Sequence, residues 1–199
     1  MAENQNKARE LWGRLKELRK NNKFLTGAAT VFILQIMGVG AAYVVQALLA
    51  NWMGNEDFGN YIYAYNWVRL LAAFGGLGLT LSVLKFVPSY IADKNWGYLR
   101  GVINAFSVVT IAGSIALAAT AILVFSTFPP QDIDLATLLI GLSLTPIFAL
   151  TYLYVELLRG MEHIVLAYAP LNVGQNILLM IATGVLFFTT GTITSVQAI

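Results

Sequence analysis

Five long apolar runs leave this chain few ways to fold. They cover roughly residues 24–50, 61–92, 99–125, 135–158 and 164–188. Each is long enough to cross a hydrocarbon core of about 30 Å, which takes about 20 helical residues. Backbone in lipid must pair its own N–H and C=O groups, so only helices or a closed β-barrel are available. The alternating apolar and polar residues of a barrel strand are absent, and the runs are read as helices. With 58% hydrophobic and 11% charged residues and a mean hydropathy of +0.70, the chain is predicted to be an all-α, polytopic transmembrane helix bundle.

A net charge of +2 conceals an asymmetry. Residues 1–23 carry seven basic side chains against three acidic ones, which leaves this segment at +4 and the remainder at −2. Leu11, Trp12, Leu15 and Leu18 recur there at helical spacing, so the segment is either an amphipathic helix lying on anionic lipid or a solvated basic tail. The first apolar run is too long for a secretory signal and has no small-residue cleavage site before the next loop, so it is read as a retained helix. Lys85, Lys94 and Arg100 surround the connection after the second run, and Arg159 marks the one after the fourth. The alternate loops hold Glu56, Asp57, Asp132 and Asp134 and no basic residue. Positive charge stays inside, which predicts a multi-pass protein with a cytoplasmic N-terminus. A sixth span is expected to begin near Ile193, and the chain is read as the N-terminal half of a longer protein.

Three runs carry a small or polar stripe. The first has Gln35, Gly38, Ala42 and Gln46; the second has Asn66, Arg69, Ala73, Gly76 and Thr80; the fifth has Tyr168, Asn172, Gln175, Asn176 and Thr183. Such stripes serve close helix packing and interhelical hydrogen bonds, or they line a polar cavity. Arg69 has two fates open to it: facing a cavity, or snorkelling to an interface marked by Tyr61, Tyr63, Tyr65 and Trp67. The substrate-cavity candidates are therefore Arg69, Asn66, Gln35, Gln46, Asn172, Gln175 and Asn176. Pro129 and Pro130 end the third run, and Asp132 or Asp134 is placed to cap the fourth. Pro146 lies within the fourth run, where it either opens backbone groups to a cavity or makes a kink buried by neighbours.

Several chemistries find no support. Gly76 and Gly78 begin a glycine-rich pattern, but Leu81 takes the third glycine position inside an apolar run, so there is no nucleotide-binding loop. The chain has no cysteine and a single histidine, His163, beside Glu162; no metal site, cofactor or catalytic group is expected, and the protein is not read as an enzyme. Glu156 and Arg159, three residues apart, are read as a local ion pair. No nucleic-acid partner is expected.

The loop ANWMGNEDFGNY, Ala50 to Tyr61, resembles the first-loop signature of oligosaccharide flippases. These form the polysaccharide-transporter branch of the multidrug/oligosaccharidyl-lipid/polysaccharide exporter superfamily. Gly54, Glu56, Phe58, Gly59 and Tyr61 match that signature, while Asn51 stands where the family usually has arginine, so no role of that arginine is carried over. The glycine-rich centre of the second run and its exit through Lys85, Phe86, Val87 and Pro88 are similar to the same family. Arg69 is similar in position to a cavity arginine of the related lipid II flippases. The resemblance implies the N-terminal lobe of a MATE-like fold, two six-helix lobes opening alternately to either side of a bacterial inner membrane. The implied substrate is an undecaprenyl-pyrophosphate-linked oligosaccharide, such as an O-antigen or other surface-polysaccharide repeat unit, and the implied partners are the bilayer and a polysaccharide polymerase or assembly protein. Two other readings stay open, a cation-coupled multidrug exporter of the same superfamily and a membrane scaffold without transport.

Overall fold

The computed structural model describes the backbone of residues 2–76, 78–131, 133–190 and 194–199, and the side chains of those residues other than 2–26, 28, 80 and 190. The amphipathic face expected over residues 1–23, the Thr80 side chain, Asp132 and Ile193 lie outside the described residues. All regular structure among the described residues is helical: α1 (Ala2–Met53), α2 (Asn55–Gly75), α3 (Leu79–Ala92), α4 (Trp96–Thr127), α5 (Leu135–Ser143), α6 (Thr145–Gly160), α7 (Ile164–Ala169), a π-helical turn (Pro170–Gly174), α8 (Gln175–Thr190) and α9 (Ser195–Ala198). The all-α polytopic bundle is thus the observed architecture. The stretches Ala29–Met53, Trp96–Thr127 and Ile164–Thr189 are long and apolar enough to cross a membrane, and the bent pair α5 and α6 makes a fourth.

Hydropathy alone joins elements that the backbone separates. The second run is two helices, because α2 stops at Gly76 and α3 starts after Gly78, whose φ of +75° favours glycine. The fourth run bends by 41° at Leu144. Pro146 then falls in the first turn of α6, where a missing N–H has no helical partner to lose.

Large apolar side chains cover the outside. Phe32, Val39 and Tyr43 on α1, Val108 and Leu123 on α4, and Leu178 and Phe188 on α8 are exposed, which a bundle surrounded by lipid requires. The interior divides into packets. Val45, Leu49, Met53 and Tyr61 form one; Ala64, Leu138 and Leu142 a second; Val83, Val87, Leu99, Leu153 and Leu157 a third. Helix α6 packs against α2, α3 and α4. Small residues set the closest approaches: a Cβ on Gly75 would lie 2.9 Å from Ser114 Cβ, and one on Gly160 would lie 3.3 Å from Val87 Cβ.

Asp134 caps α5, accepting hydrogen bonds from the backbone N–H of Ala136 (3.2 Å) and Thr137 (3.0 Å) and from the Thr137 hydroxyl. The same end of the bundle is tied across helices. The Asp134 N–H donates to Asn60 Oδ1 (3.1 Å), the Thr137 and Ser195 hydroxyls pair at 2.8 Å, and the Ser195 N–H donates to Asp57 Oδ1 (3.3 Å). The Thr137 hydroxyl and then the two N–H groups hold the Asp134 carboxyl below its ordinary value of 3.8. A carboxylate held low contributes stability above its unfolded pKa and loses it as pH falls through the folded value. Asp134→Ala should therefore cost about 1 kcal/mol near neutrality, the usual worth of an N-cap, and remove part of the loss of stability seen in strong acid. Thermal unfolding in detergent at several pH values measures both.

Candidate functional site

The site is built where α1, α2, α6 and the π-helical turn converge. Pro170 lacks the N–H that a regular helix would use, and the chain answers with a wider turn in which the Gln175 N–H donates to the Pro170 carbonyl. The extra residue shifts the face that follows. Tyr168, before the turn, lies with its ring 5.5 Å from the Arg159 guanidinium, while Asn172, Gln175 and Asn176 face α1 and α2 across a cleft. Arg159 also forms the expected ion pair with Glu156, at 2.6 Å.

A glycine lets helix α1 come close to this turn. A Cβ on Gly38 would lie 2.7 Å from Asn172 Cβ and 3.0 Å from the Asn172 carbonyl oxygen. The Asn176 side-chain amide fastens the contact, donating to the carbonyls of Asn172 (2.7 Å) and Gly38 (3.3 Å). Among the described residues the Asn172 amide nitrogen is buried without a hydrogen-bond partner.

The resulting cleft encloses about 390 Å³ and is lined by Gln35, Tyr65, Arg69, Tyr152, Asn172, Gln175 and Asn176, among others. The Arg69 guanidinium lies 5.6 Å from the centre of the Tyr65 ring, one turn earlier on α2, and beside the Tyr152 hydroxyl of α6. Tyr65 also lies beside the Gln175 amide and packs edge-on against Phe148, with ring centres 6.1 Å apart. Among the described residues the ion pair is Glu156 with Arg159, and no carboxylate neutralises Arg69. A larger cleft of about 710 Å³, lined by Tyr63, Asn66, Trp67, Leu70 and Ala73, opens on the other side, and Arg69 and Tyr152 belong to both. An apolar groove of about 550 Å³ adjoins the smaller cleft at Phe148, Leu171 and Gln175.

Of the seven candidates from the sequence, Gln35, Arg69, Asn172, Gln175 and Asn176 line one cleft, and Asn66 lines its neighbour. Gln46 is exposed and lines neither. The sequence reading missed Tyr152, which has no polar stripe around it; the available signal was a phenol in mid-run, whose hydroxyl needs a partner away from water. Tyr65 was visible only as one of several interfacial aromatics.

Residues 24–199 match the family described as polysaccharide biosynthesis protein. The chain belongs to that family. Neither curated proteins nor solved structures provide a match to it. As a member of the polysaccharide biosynthesis family with several membrane-crossing helices, it is a multi-pass membrane protein of polysaccharide production.

Proposed function

We propose that this protein is a flippase that carries an undecaprenyl-pyrophosphate-linked oligosaccharide, the repeat unit of an O-antigen or another surface polysaccharide, across the bacterial inner membrane by alternating access. The observation that supports this reading best is Arg69, a guanidinium with no carboxylate partner among the described residues, on the wall of a cleft rich in amides. A cation in that setting is a receptor for an anion. At 4 Å and an effective dielectric constant of about 20, a unit charge pair is worth about 4 kcal/mol, far more than in bulk water. Planar donors suit phosphate oxygens, and the amides of Gln35 and Gln175 offer exchangeable hydrogen bonds to phosphate and sugar hydroxyls.

The breaks at Gly76–Gly78 and Leu144 and the π turn at Pro170 fit alternating access, because transporters use interrupted helices at their binding sites. In this reading residues 24–199 form the first lobe of a MATE-like bundle, with the segment from 61 to 92 crossing as a broken span and a basic cytoplasmic N-terminal segment. The described residues lining both clefts include no Asp or Glu, which favours the glycan-lipid reading over coupling through a carboxylate in these clefts.

Deleting the gene in its own host tests the proposal. Surface polysaccharide should be lost and its lipid-linked precursor should accumulate on the cytoplasmic leaflet, with recovery when the gene is restored. Unchanged surface polysaccharide, or loss of the precursor itself, would refute transport as the role.

A further inference from the structure

We propose that the larger cleft is a separate sugar subsite, in which Trp67 is the stacking platform for the sugar bonded directly to the phosphate. The inference rests on the flippase reading and divides its substrate between two compartments. Tyr63, Asn66, Trp67, Leu70 and Ala73 follow one another on α2 at offsets of three, one, three and three, which gathers them on one face of the helix. The cleft they line, at about 710 Å³, falls within the range of about 300–1,000 Å³ typical of small-ligand sites.

Its chemistry differs from that of the smaller cleft. The smaller compartment sets four amides beside its three rings; the larger has a single amide, Asn66, with the rings of Tyr63, Trp67 and Tyr152. An aromatic face carries negative π density, and the C–H-bearing face of a pyranose presents weak positive charge to it. Asn66, with a donor and an acceptor on one exposed side chain, suits adjacent sugar hydroxyls.

The aromatics are held within the bundle. Trp67 meets Phe125 of α4 at 5.2 Å and 74° and Tyr63 at 6.4 Å and 65°. It also packs against the interior packet formed by Ala64, Leu138 and Leu142. A ring fixed by these contacts has little freedom left to lose when a ligand stacks on it. The shared wall sets the register. Arg69 and Tyr152 line both compartments, so a phosphate on Arg69 stands at the boundary and the sugar attached to it enters the aromatic side.

The test compares two defined probes on the full chain in lipid nanodiscs: undecaprenyl diphosphate, and the same lipid bearing a single N-acetylhexosamine. Wild type should bind the glycosylated lipid more tightly. Trp67→Leu should erase about tenfold of that preference, Trp67→Phe should retain most of it, and Asn66→Ala, at an exposed position, should lose a smaller share. Absence of a preference in wild type, or equal weakening of both lipids by Trp67→Leu and Asn66→Ala, would overturn the subsite and leave the flippase reading standing. Failure of wild type to bind either lipid would overturn both. Circular dichroism melts of each variant separate lost recognition from lost fold.

Discussion

Arg69→Ala should abolish glycan export while the protein still inserts and keeps most of its thermal stability. Losing hydrogen bonds to a charged group costs about 1.5–3 kcal/mol, which is roughly 10-fold to 150-fold in affinity. Stability should move little, because Arg69 is exposed on the cleft wall and has no ion-pair partner among the described residues. Arg69→Lys should fall between, since the charge remains but the planar fork that meets two phosphate oxygens is gone. Surface polysaccharide measured beside the amount of membrane-inserted protein gives the answer, and normal export by the alanine variant would remove Arg69 from the mechanism.

Gly38→Leu should produce the largest structural failure. The first atom added would fall 2.7 Å from Asn172 Cβ, 3.0 Å from its carbonyl oxygen and 3.2 Å from its Cα. Two of those three are backbone atoms of the π-helical turn, which cannot rotate aside, so α1 must move away and the Asn176 bond to the Gly38 carbonyl must lengthen. Overpacking of this kind costs about 1–3 kcal/mol before the lost hydrogen bond is counted. Gly40 supplies the control on the same helix. It has nothing within 4 Å of a built Cβ, so Gly40→Ala should be neutral or stabilising by up to about 1 kcal/mol. Melting curves in detergent for the two variants should diverge, and equal melting temperatures would mean that the approach of α1 to the turn is unimportant.

Much of this site could be read from the chain because helical periodicity is a property of sequence. Gln35 and Gly38 are three apart, Asn172 and Asn176 four apart, and each pair must share a face wherever the helix goes. Periodicity does not say which helix that face will meet, and Gln46, on the same stripe as Gln35, reaches neither cleft because it lies three turns further along α1. The breaks were less legible. A run of apolar residues looks continuous whether the backbone is straight or interrupted, so the break at Gly76–Gly78 emerges only from the backbone, whereas Pro146 already marked the fourth run for a kink and the bend falls two residues before it. Tyr168 shows the limit most clearly. It is four residues before Asn172 and would share its side of a regular helix, yet the irregular turn at Pro170 separates them and leaves Tyr168 beside Arg159.

The interruptions at Gly76–Gly78 and at Leu144 fall on neighbouring rods, between one knot of packed methyls around Leu138 and Leu142 and another around Val83, Val87, Leu153 and Leu157. Among the described residues the two knots have no side chain in common. Helix α4 runs unbroken past both, giving Leu99 to one and Phe125 to the other, so a single continuous rod holds in register two ends whose other connections are jointed.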